Sequence, residues 1–441
     1  MASRPVAVLL DSFAVLLASI AGLALVGSDP TAAGAVEPVD EVHYSLGPDG
    51  TSVVVHWRGQ PTGLRLGRSQ AYDRSLRGAV PAITPVDIAG PFREARVTGL
   101  TPGTSYHYRI GTGPDRVLTT SAQIGTPVRW VDTGDTASTW CKPWMAGMHS
   151  LIARQTPDFV THGGDISYAN DCGQPAVHRF YNDIATWSQS AALMPSWGNH
   201  EYGAPTAQAP AGTPQDSLAN YKGRSAIPSA QTLALDTATR RSAPGCPGVA
   251  GLNGCRGEDW GYFRAGNVLL ISYPEPWPGA LEAWRAAATS IMTAAQADPT
   301  VHATVTYGHR PPISRAGLAS TSVSAAIATL ADRFSPAHRP DGKYLLTLSH
   351  HVHGEEVFPD FHGVASVVNG GGGTEQVRYW PPIAGSAYQT SHPAIAVLRY
   401  QPALRTLKVR LVCGVKIPGI DRDHCTLGSE LYRLDLPAPP A

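Results

Sequence analysis

Five apolar stretches in this chain each run directly into a group of polar side chains. The five groups start at or next to Asp132, Asp165, Asn199, His309 and His350. Short apolar stretches that alternate with helical patterns indicate βαβ units, in which strands form a sheet covered by helices. Because the carboxyl ends of such strands meet at one edge of the sheet, we expect the five groups to lie together there. This pattern predicts an α/β domain with a polar site at the sheet edge.

Hydrophobic periodicity predicts the elements between these groups. We expect strands at 128–131, 158–162, 302–307 and 344–348, and helices at 145–154 and 281–297. From Ala394 the alternating pattern returns, and this tail is expected to close a second sheet. The α/β domain is therefore predicted to contain two packed β-sheets flanked by helices.

The region before Gly125 has a different pattern, with short alternating stretches separated by turn residues. Val53 to Trp57 and Tyr106 to Ile110 are two of them, and strands of this kind are typical of a β-sandwich. We interpret Trp57 as a core residue of this sandwich. The stretch Leu100 to Tyr106 resembles the tyrosine corner of fibronectin type III domains, in which a tyrosine hydroxyl bonds to the upstream backbone. We predict a fibronectin III-like domain at 36–125, followed by the α/β domain at 126–437.

The amino terminus has the features of a secretory signal peptide. Arg4 precedes an apolar run from Ser12 to Val26, and Ala33-Gly34-Ala35 supplies a cleavage site of small residues. We predict a signal peptide at 1–35 and a secreted or extracytoplasmic protein, with an uncut amino-terminal anchor as the alternative. No later stretch is apolar enough to predict a membrane span.

Cysteine content and charge agree with export and limit the partners. The chain has six cysteines, an even number that suits an oxidising compartment. Local spacing favours two pairs, Cys246 with Cys255 and Cys413 with Cys425, which leaves Cys141 and Cys172. Lysine plus arginine equals aspartate plus glutamate, at 34 each. No nucleic-acid partner is therefore expected.

The order of the five polar groups resembles the purple acid phosphatase family, within the metallophosphoesterase superfamily. The family pattern runs DxG, GDxxY, GNH(D/E), VxxH and GHxH, and plant-type members carry an amino-terminal fibronectin-like domain. The resemblance implies a first metal held by Asp132, Asp165, Tyr168 and His353. It implies a second metal held by Asp165, Asn199, His309 and His351, with Asp165 bridging both.

The resemblance also implies the metals and the chemistry. A phenol has a pKa near 10, so Tyr168 favours Fe(III) as the first ion, beside a divalent Fe, Zn or Mn. We expect hydrolysis of a small phosphate monoester by attack of a metal-bound hydroxide. His200 is expected to bind phosphate and to protonate the leaving oxygen. The alternatives are a phosphodiesterase, a nucleotide- or phytate-directed phosphatase, or a cell-surface binding protein with a degenerate site.

The chain departs from the family pattern at several positions. Thr306 stands for the valine of VxxH, and His350 replaces the glycine before His-x-His. The histidines that plant relatives carry after the fourth motif are missing from 314–324. Asp135 lies where an uncharged residue is usual. We predict that it turns outward as a helix cap. If it faced the cleft instead, it would repel a monoester dianion and favour a diester.

Overall fold

Seven short strands at the amino-terminal end form two antiparallel sheets. One sheet has three strands in the order β1-β2-β5 and the other has four in the order β4-β3-β6-β7. The strands are β1 Asp40–Leu46, β2 Val53–Arg58, β3 Gly63–Gly67, β4 Arg74–Arg77, β5 Phe92–Val97, β6 Ser105–Ile110 and β7 Arg116–Thr119.

This computed structural model describes residues 39–233, 257–315, 317–374, 383–419 and 425–440. The predicted signal peptide and the cysteines Cys246 and Cys255 lie outside the described residues. The other two predicted pairs are confirmed as disulfides, Cys141 with Cys172 and Cys413 with Cys425. Within the described part of the chain, no helix has the length and apolar character needed to cross a membrane.

Two residues of the amino-terminal sheets behave as their pattern predicts. Trp57 is 2% exposed and packs in the core, where its indole N–H donates to the Pro61 carbonyl at 2.8 Å. The backbone N–H of Thr101 donates to the hydroxyl of Tyr106 at 3.0 Å. This is the upstream backbone bond expected of a tyrosine corner.

Two larger mixed sheets follow. The six-stranded sheet has the order β10-β9-β8-β18-β19-β20, and β8, β9 and β10 run parallel. Its strands are β8 Val128–Thr133, β9 Phe159–His162, β10 Ala192–Pro195, β18 Ala394–Gln401, β19 Thr406–Cys413 and β20 Glu430–Pro437. We expected the tail to close a second sheet, but it extends this first sheet, because β18 pairs antiparallel with β8.

The seven-stranded sheet has the order β11-β12-β13-β14-β16-β15-β17, with β12, β13, β14 and β16 parallel. Its strands are β11 Tyr262–Ala265, β12 Val268–Ser272, β13 Ala303–Tyr307, β14 Tyr344–Ser349, β15 Glu355–Phe361, β16 Val364–Asn369 and β17 Tyr388–Thr390. The described helices are α1 Met145–Arg154, α2 Ala169–Cys172, α3 Pro175–Asp183, α4 Ala185–Ser188, α5 Leu218–Lys222, α6 Ala280–Ala297 and α7 Thr321–Phe334, with short 3₁₀ helices at Asn199–Tyr202 and Pro402–Leu404.

Each large sheet packs against a different core on each of its faces, because successive side chains of a strand point to opposite faces. Trp130 lies in the core shared with Val305 of the other sheet. Its neighbour Val131 packs in a separate core with α1. Leu269 and Ile271 of the seven-stranded sheet pack in a third core with α6 and α7. The two predicted packed sheets flanked by helices are thus present, and the core between them continues into the amino-terminal sheets.

Candidate metal centre

The five polar groups follow the carboxyl ends of five strands in the two large sheets. β8, β9 and β10 lead into Asp135, Asp165 and Asn199, and β13 and β14 lead into His309 and His351. Since the strands are parallel within each sheet, their carboxyl ends meet at one edge. The structure places the side chains of all five residues in one cluster there.

Four residues of the cluster have left-handed backbone conformations, which side-chain-bearing residues adopt at a cost. The φ angles are 52° at Asp135, 52° at Asp165, 55° at Tyr168 and 69° at His351. Strained residues of this kind persist only where the surrounding structure holds them, and they concentrate at functional sites. The backbone thus aims these side chains inward.

One half of the cluster consists of Asp165, Asn199, His309 and His351. Donor atoms of Asp165, His309 and His351 all lie within 4.8 Å of one another. Nε2 of His309 lies 3.3 Å from Oδ2 of Asp165 and 3.0 Å from Oδ1 of Asn199. This half brings together one carboxylate, one amide and two imidazoles, a donor set that suits a transition metal.

The ring of His309 is oriented for metal binding. Its Nδ1 lies 3.0 Å from the Gly163 carbonyl, which fixes Nδ1 as the N–H donor and directs Nε2 into the cluster. Burial lowers the pKa of His309, but the carboxylates of Asp165, Asp135 and Glu275 together outweigh burial and raise it to about 10. A metal ion would therefore have to displace a proton from this nitrogen.

The other half of the cluster consists of Asp135, Tyr168 and His353. The Tyr168 hydroxyl lies 3.1 Å from Oδ1 of Asp135 and 2.8 Å from Nε2 of His353. It also lies 3.4 Å from Oδ2 of Asp165, the same oxygen that faces His309. Asp165 thus contacts both halves, as a bridging ligand would.

The pKa of the Tyr168 hydroxyl fits a site that requires strong positive charge. Burial raises this pKa well above its usual value, and the carboxylates of Asp135 and Asp165 raise it further. Two buried carboxylates beside a buried phenol are electrostatically unfavourable without a cation. The residues present therefore fit a metal pair, including an ion able to hold a phenolate.

Asp132 lies apart from this cluster, contrary to its prediction as a ligand. We expected β8 to end at Val131, but it continues to Thr133, so Asp132 is part of the ladder opposite Thr161. Its carboxylate accepts a hydrogen bond from the Thr161 hydroxyl at 2.8 Å and lies 3.1 Å from Nε2 of His350. The chain turns inward only after the strand ends, and Asp135 takes the place predicted for Asp132.

The predicted outward orientation of Asp135 is wrong. Its side chain is fully buried, and Oδ2 accepts a hydrogen bond from the His351 backbone N–H at 2.8 Å. The predicted cap role fails because no helix begins at Asp135; α1 starts only at Met145.

His350 lies beneath the cluster, where it contacts Asp132. Its Nδ1 lies 2.9 Å from the Gly308 carbonyl. A Cβ atom at Gly163 would come within 1.6 Å of this ring, so the imidazole requires a glycine there. His350 supports the loops that carry the cluster and does not contact its donor atoms.

His200 lies at the margin of the cluster, next to Asn199. Its ring packs on Tyr168 at 4.3 Å between centroids. Nδ1 lies 2.7 Å from Oδ1 of Asn170, and Nε2 lies 3.8 Å from Oδ2 of Asp165. Asn170 thus orients the ring so that Nε2 faces the cluster.

Two residues that contact the site, Glu201 and Arg310, were not assigned from the sequence. Glu201 is buried, and its carboxylate accepts backbone N–H bonds from Asp165, Ile166 and Gly198 at 2.7–2.8 Å. Burial, followed by the charge of Asp165, raises the pKa of Glu201 to about 8. Arg310 contacts two cluster residues directly. Glu201 is the last residue of Gly198-Asn199-His200-Glu201, and Arg310 directly follows His309. These positions in the sequence could have indicated that both residues lie at the site.

A cavity of ≈ 390 Å³ opens beside Tyr168 and His353. The Cys141–Cys172 disulfide and Trp140 form part of its wall. The Trp140 indole N–H donates to the Cys172 carbonyl at 3.2 Å, which holds this exposed ring in place. The cavity gives a small molecule access to the cluster.

Comparison with known proteins yields a likeness of fold. No family model matches the sequence, and no curated protein matches it in sequence. Among solved structures, purple acid phosphatase PPD1 from yellow lupin (Lupinus luteus) seeds is similar, with a TM-score of 0.61 and 14% identity over 85% of this chain and 72% of that chain. PhoD is similar with a TM-score of 0.53 and 12% identity over 87% of this chain and 88% of that chain. The described fold is therefore similar to that of known phosphatases.

Proposed function

We propose that this chain is a binuclear-metal phosphatase that hydrolyses phosphate monoesters, in the manner of the purple acid phosphatase family. The observation that carries the proposal is the pair of donor groups that share Asp165. One group contains a phenol, a carboxylate and an imidazole, and the other contains an amide and two imidazoles. The similarity in fold to a purple acid phosphatase supports it.

In this proposal Asp135, Asp165, Tyr168 and His353 hold the first metal, with Asp135 replacing Asp132. The second metal is held by Asp165, Asn199, His309 and His351. When bound, such a metal pair neutralises phosphoryl oxygens and lowers the pKa of a water molecule. The surrounding chain holds the ligands in place, mainly through the three backbone bonds to Glu201 and the Gly163 bond to His309.

The identity of the metals follows from charge. Fe(III) with a divalent ion carries about five positive charges, since bound ions dominate local electrostatics. Two aspartates, a tyrosinate and a hydroxide would remove about four of these, which leaves about one to attract phosphate. We therefore propose Fe(III) beside Tyr168 and a divalent Fe, Zn or Mn beside His309 and His351.

His200 is proposed to bind the phosphate and to protonate the leaving oxygen. Asn170 holds Nδ1, so Nε2 is the nitrogen able to transfer a proton. Only this nitrogen faces the cluster, which places the transferable proton on the side of the reacting group.

A phosphodiesterase is the second candidate, because Asp135 faces the cluster. An unpaired carboxylate there would repel a monoester dianion. As a metal ligand, however, Asp135 has its charge compensated, and this favours the monoesterase.

The remaining proposals concern the setting of the site. We propose that the amino-terminal sheets form a fibronectin III-like domain, supported by their three-plus-four strand order and the Tyr106 bond. We propose a secreted or extracytoplasmic location, which the two disulfides support because such bonds persist in oxidising compartments.

The proposed function is tested with purified full-length protein. Metal analysis should find two ions per chain, one of them iron, and a visible tyrosinate–iron absorption band. p-Nitrophenyl phosphate should be hydrolysed faster than its bis ester. Asp165→Asn should lose activity and metal, whereas Asp332→Asn at an exposed carboxylate should not. Protein without bound metal and without activity on either ester would overturn the proposal and favour the binding-protein alternative.

A further inference from the structure

We propose that Arg310 binds the phosphoryl group of the substrate and gives the site its preference for doubly charged monoesters. This inference rests on the proposed function. No motif of the family resemblance assigns a role to Arg310. It follows His309 directly in the sequence, and its guanidinium lies at the second half of the cluster.

The terminal nitrogens of Arg310 face two residues that are proposed metal ligands, Asn199 and His351, and Nδ1 of His351 lies 3.1 Å from Nε2 of His309. Nη2 donates to Oδ1 of Asn199 at 2.9 Å, and Nη1 contacts Nε2 of His351. A guanidinium in this position lies beside the place where the second metal would bind. Any phosphate held on that metal would therefore lie beside Arg310.

The opposite side of the guanidinium is anchored. Nε of Arg310 lies 3.3 Å from Oε2 of Glu275, whose side chain is buried. The Tyr202 hydroxyl donates to the same oxygen at 2.9 Å and holds the carboxylate in place. Arg310 itself is 25% exposed at its side chain. Glu275 thus holds Nε in place, while the two terminal nitrogens face Asn199 and His351.

A metal ion and the guanidinium compete for the Oδ1 atom of Asn199. Once Asn199 Oδ1 binds a metal ion, it can no longer accept from Nη2 of Arg310 in the same direction. Nη2 then needs another acceptor within reach. Phosphoryl oxygens are the acceptors that substrate brings to this place, and the planar guanidinium fork matches them in a bidentate geometry.

The sequence after Arg310 lacks other residues that would be expected to contact the substrate on this side of the site. Residues 314–324 contain none of the histidines that the family resemblance places after the fourth motif. Arg310 provides a permanent positive charge on that side of the site. A monoester dianion gains more from such a charge than a monoanionic diester does, since the attraction scales with charge.

The test uses metal-loaded Arg310→Gln and Arg310→Lys variants, with Arg339→Gln as the control. Arg339 is a surface arginine with a comparable carboxylate partner, Asp341. Calorimetric titration with inorganic phosphate should show binding weakened by roughly 10- to 100-fold in Arg310→Gln, the range expected for charge-assisted hydrogen bonds. Arg310→Lys should fall between this variant and the wild type, and Arg339→Gln should match the wild type.

Steady-state kinetics provides the specificity readout. The kcat/KM of Arg310→Gln for p-nitrophenyl phosphate should fall by a similar factor, while that for bis(p-nitrophenyl) phosphate falls much less. Unchanged phosphate affinity, or equal losses for both esters, would show that Arg310 does not recognise the dianion. Loss of the second metal from Arg310→Gln would make it a structural support of the ligands and would also overturn the proposal. Failure of the proposed function appears differently, as a wild-type protein that hydrolyses neither ester.

Discussion

Replacing Arg224 with methionine is expected to destabilise the protein more than any surface substitution. Arg224 is buried and joins two segments of the amino-terminal sheets to the chain after α5. Its guanidinium donates to Glu41 at 2.7 and 3.2 Å and to Asp87 at 2.7 and 3.0 Å. Methionine retains much of the packing against Phe92 and Tyr181 but removes the guanidinium from both buried carboxylates, which leaves Glu41 with His178 at 2.6 Å.

The magnitude follows from this geometry in two ways. Breaking a buried ion pair by removing one partner costs about 3–5 kcal/mol. Burial raises the pKa of Glu41, but Arg224 and His178 together outweigh burial and lower it from 4.5 to about 2, and such a shift corresponds to about 3 kcal/mol. For Asp87, burial outweighs Arg224 and raises the pKa. The stabilisation therefore resides mainly in the Glu41 pair.

The same shift predicts the pH dependence. Because the folded pKa of Glu41 lies below its unfolded value of 4.5, its contribution is fully present above pH 4.5 and is lost as pH falls through about 2. Arg224→Met should show less of this acid dependence, because only His178 then remains to lower the pKa of Glu41. At neutral pH its melting temperature should fall by roughly 3–6 °C, from an unfolding entropy of about 2.1 cal/mol/K per residue.

Differential scanning calorimetry and urea unfolding of the full chain measure these effects. The triple variant Arg224→Met, Glu41→Gln, Asp87→Asn should recover most of the lost stability, because it removes the uncompensated charges. A loss below about 1 kcal/mol in Arg224→Met, against the expected range for a buried pair, would refute the reasoning. A triple variant that is no more stable than Arg224→Met would also refute the reasoning. Two separate transitions in the calorimetric trace would in addition favour independent folding of the predicted 36–125 domain.

The remaining predictions concern the site and its surroundings. Asp135→Asn should lower metal affinity by more than the roughly 10- to 100-fold typical of losing a residue that only orients a ligand, while Asp132→Asn should retain both metals; metal titration with elemental analysis distinguishes them. Tyr168→Phe should lose the visible absorption band while the far-ultraviolet circular dichroism stays unchanged, and a retained band would contradict the tyrosinate assignment. Burial raises the pKa of Asp216 from 3.8 to about 7, so its contribution is present below pH 3.8 and is lost as pH rises through about 7. Asp216→Asn should flatten this fall in a plot of melting temperature against pH, and an unchanged slope would contradict it.

The local sequence pattern was sufficient to predict several helices and strands and the residue types at the candidate site. The predicted helix at 145–154 coincides with α1, and the strands at 128–131, 302–307 and 344–348 lie at β8, β13 and β14. These elements are determined by apolar periodicity over neighbouring residues, which the sequence contains directly. The same holds for the short-range pair Cys413 with Cys425.

The position of one proposed ligand, Asp135, depended on where β8 ends. Asp132 and Asp135 are three residues apart and both follow Val131, so the pattern alone does not separate them. β8 pairs on both sides, with β9 and β18, and this pairing extends it past Asp132. Strand ends are set by neighbours that are distant in the sequence, and local pattern does not contain them.

Tertiary structure alone determined how charges from distant segments meet. The sequence by itself specified that carboxylates, an amide, a phenol and imidazoles would gather at a sheet edge, because each follows an apolar strand. Left-handed turns at Asp135 and His351 and the anchoring of Arg310 by Glu275 depend on contacts across more than thirty residues. Such contacts arise only when both sheets are packed, so the ligand types could be predicted from the sequence and their partners could not.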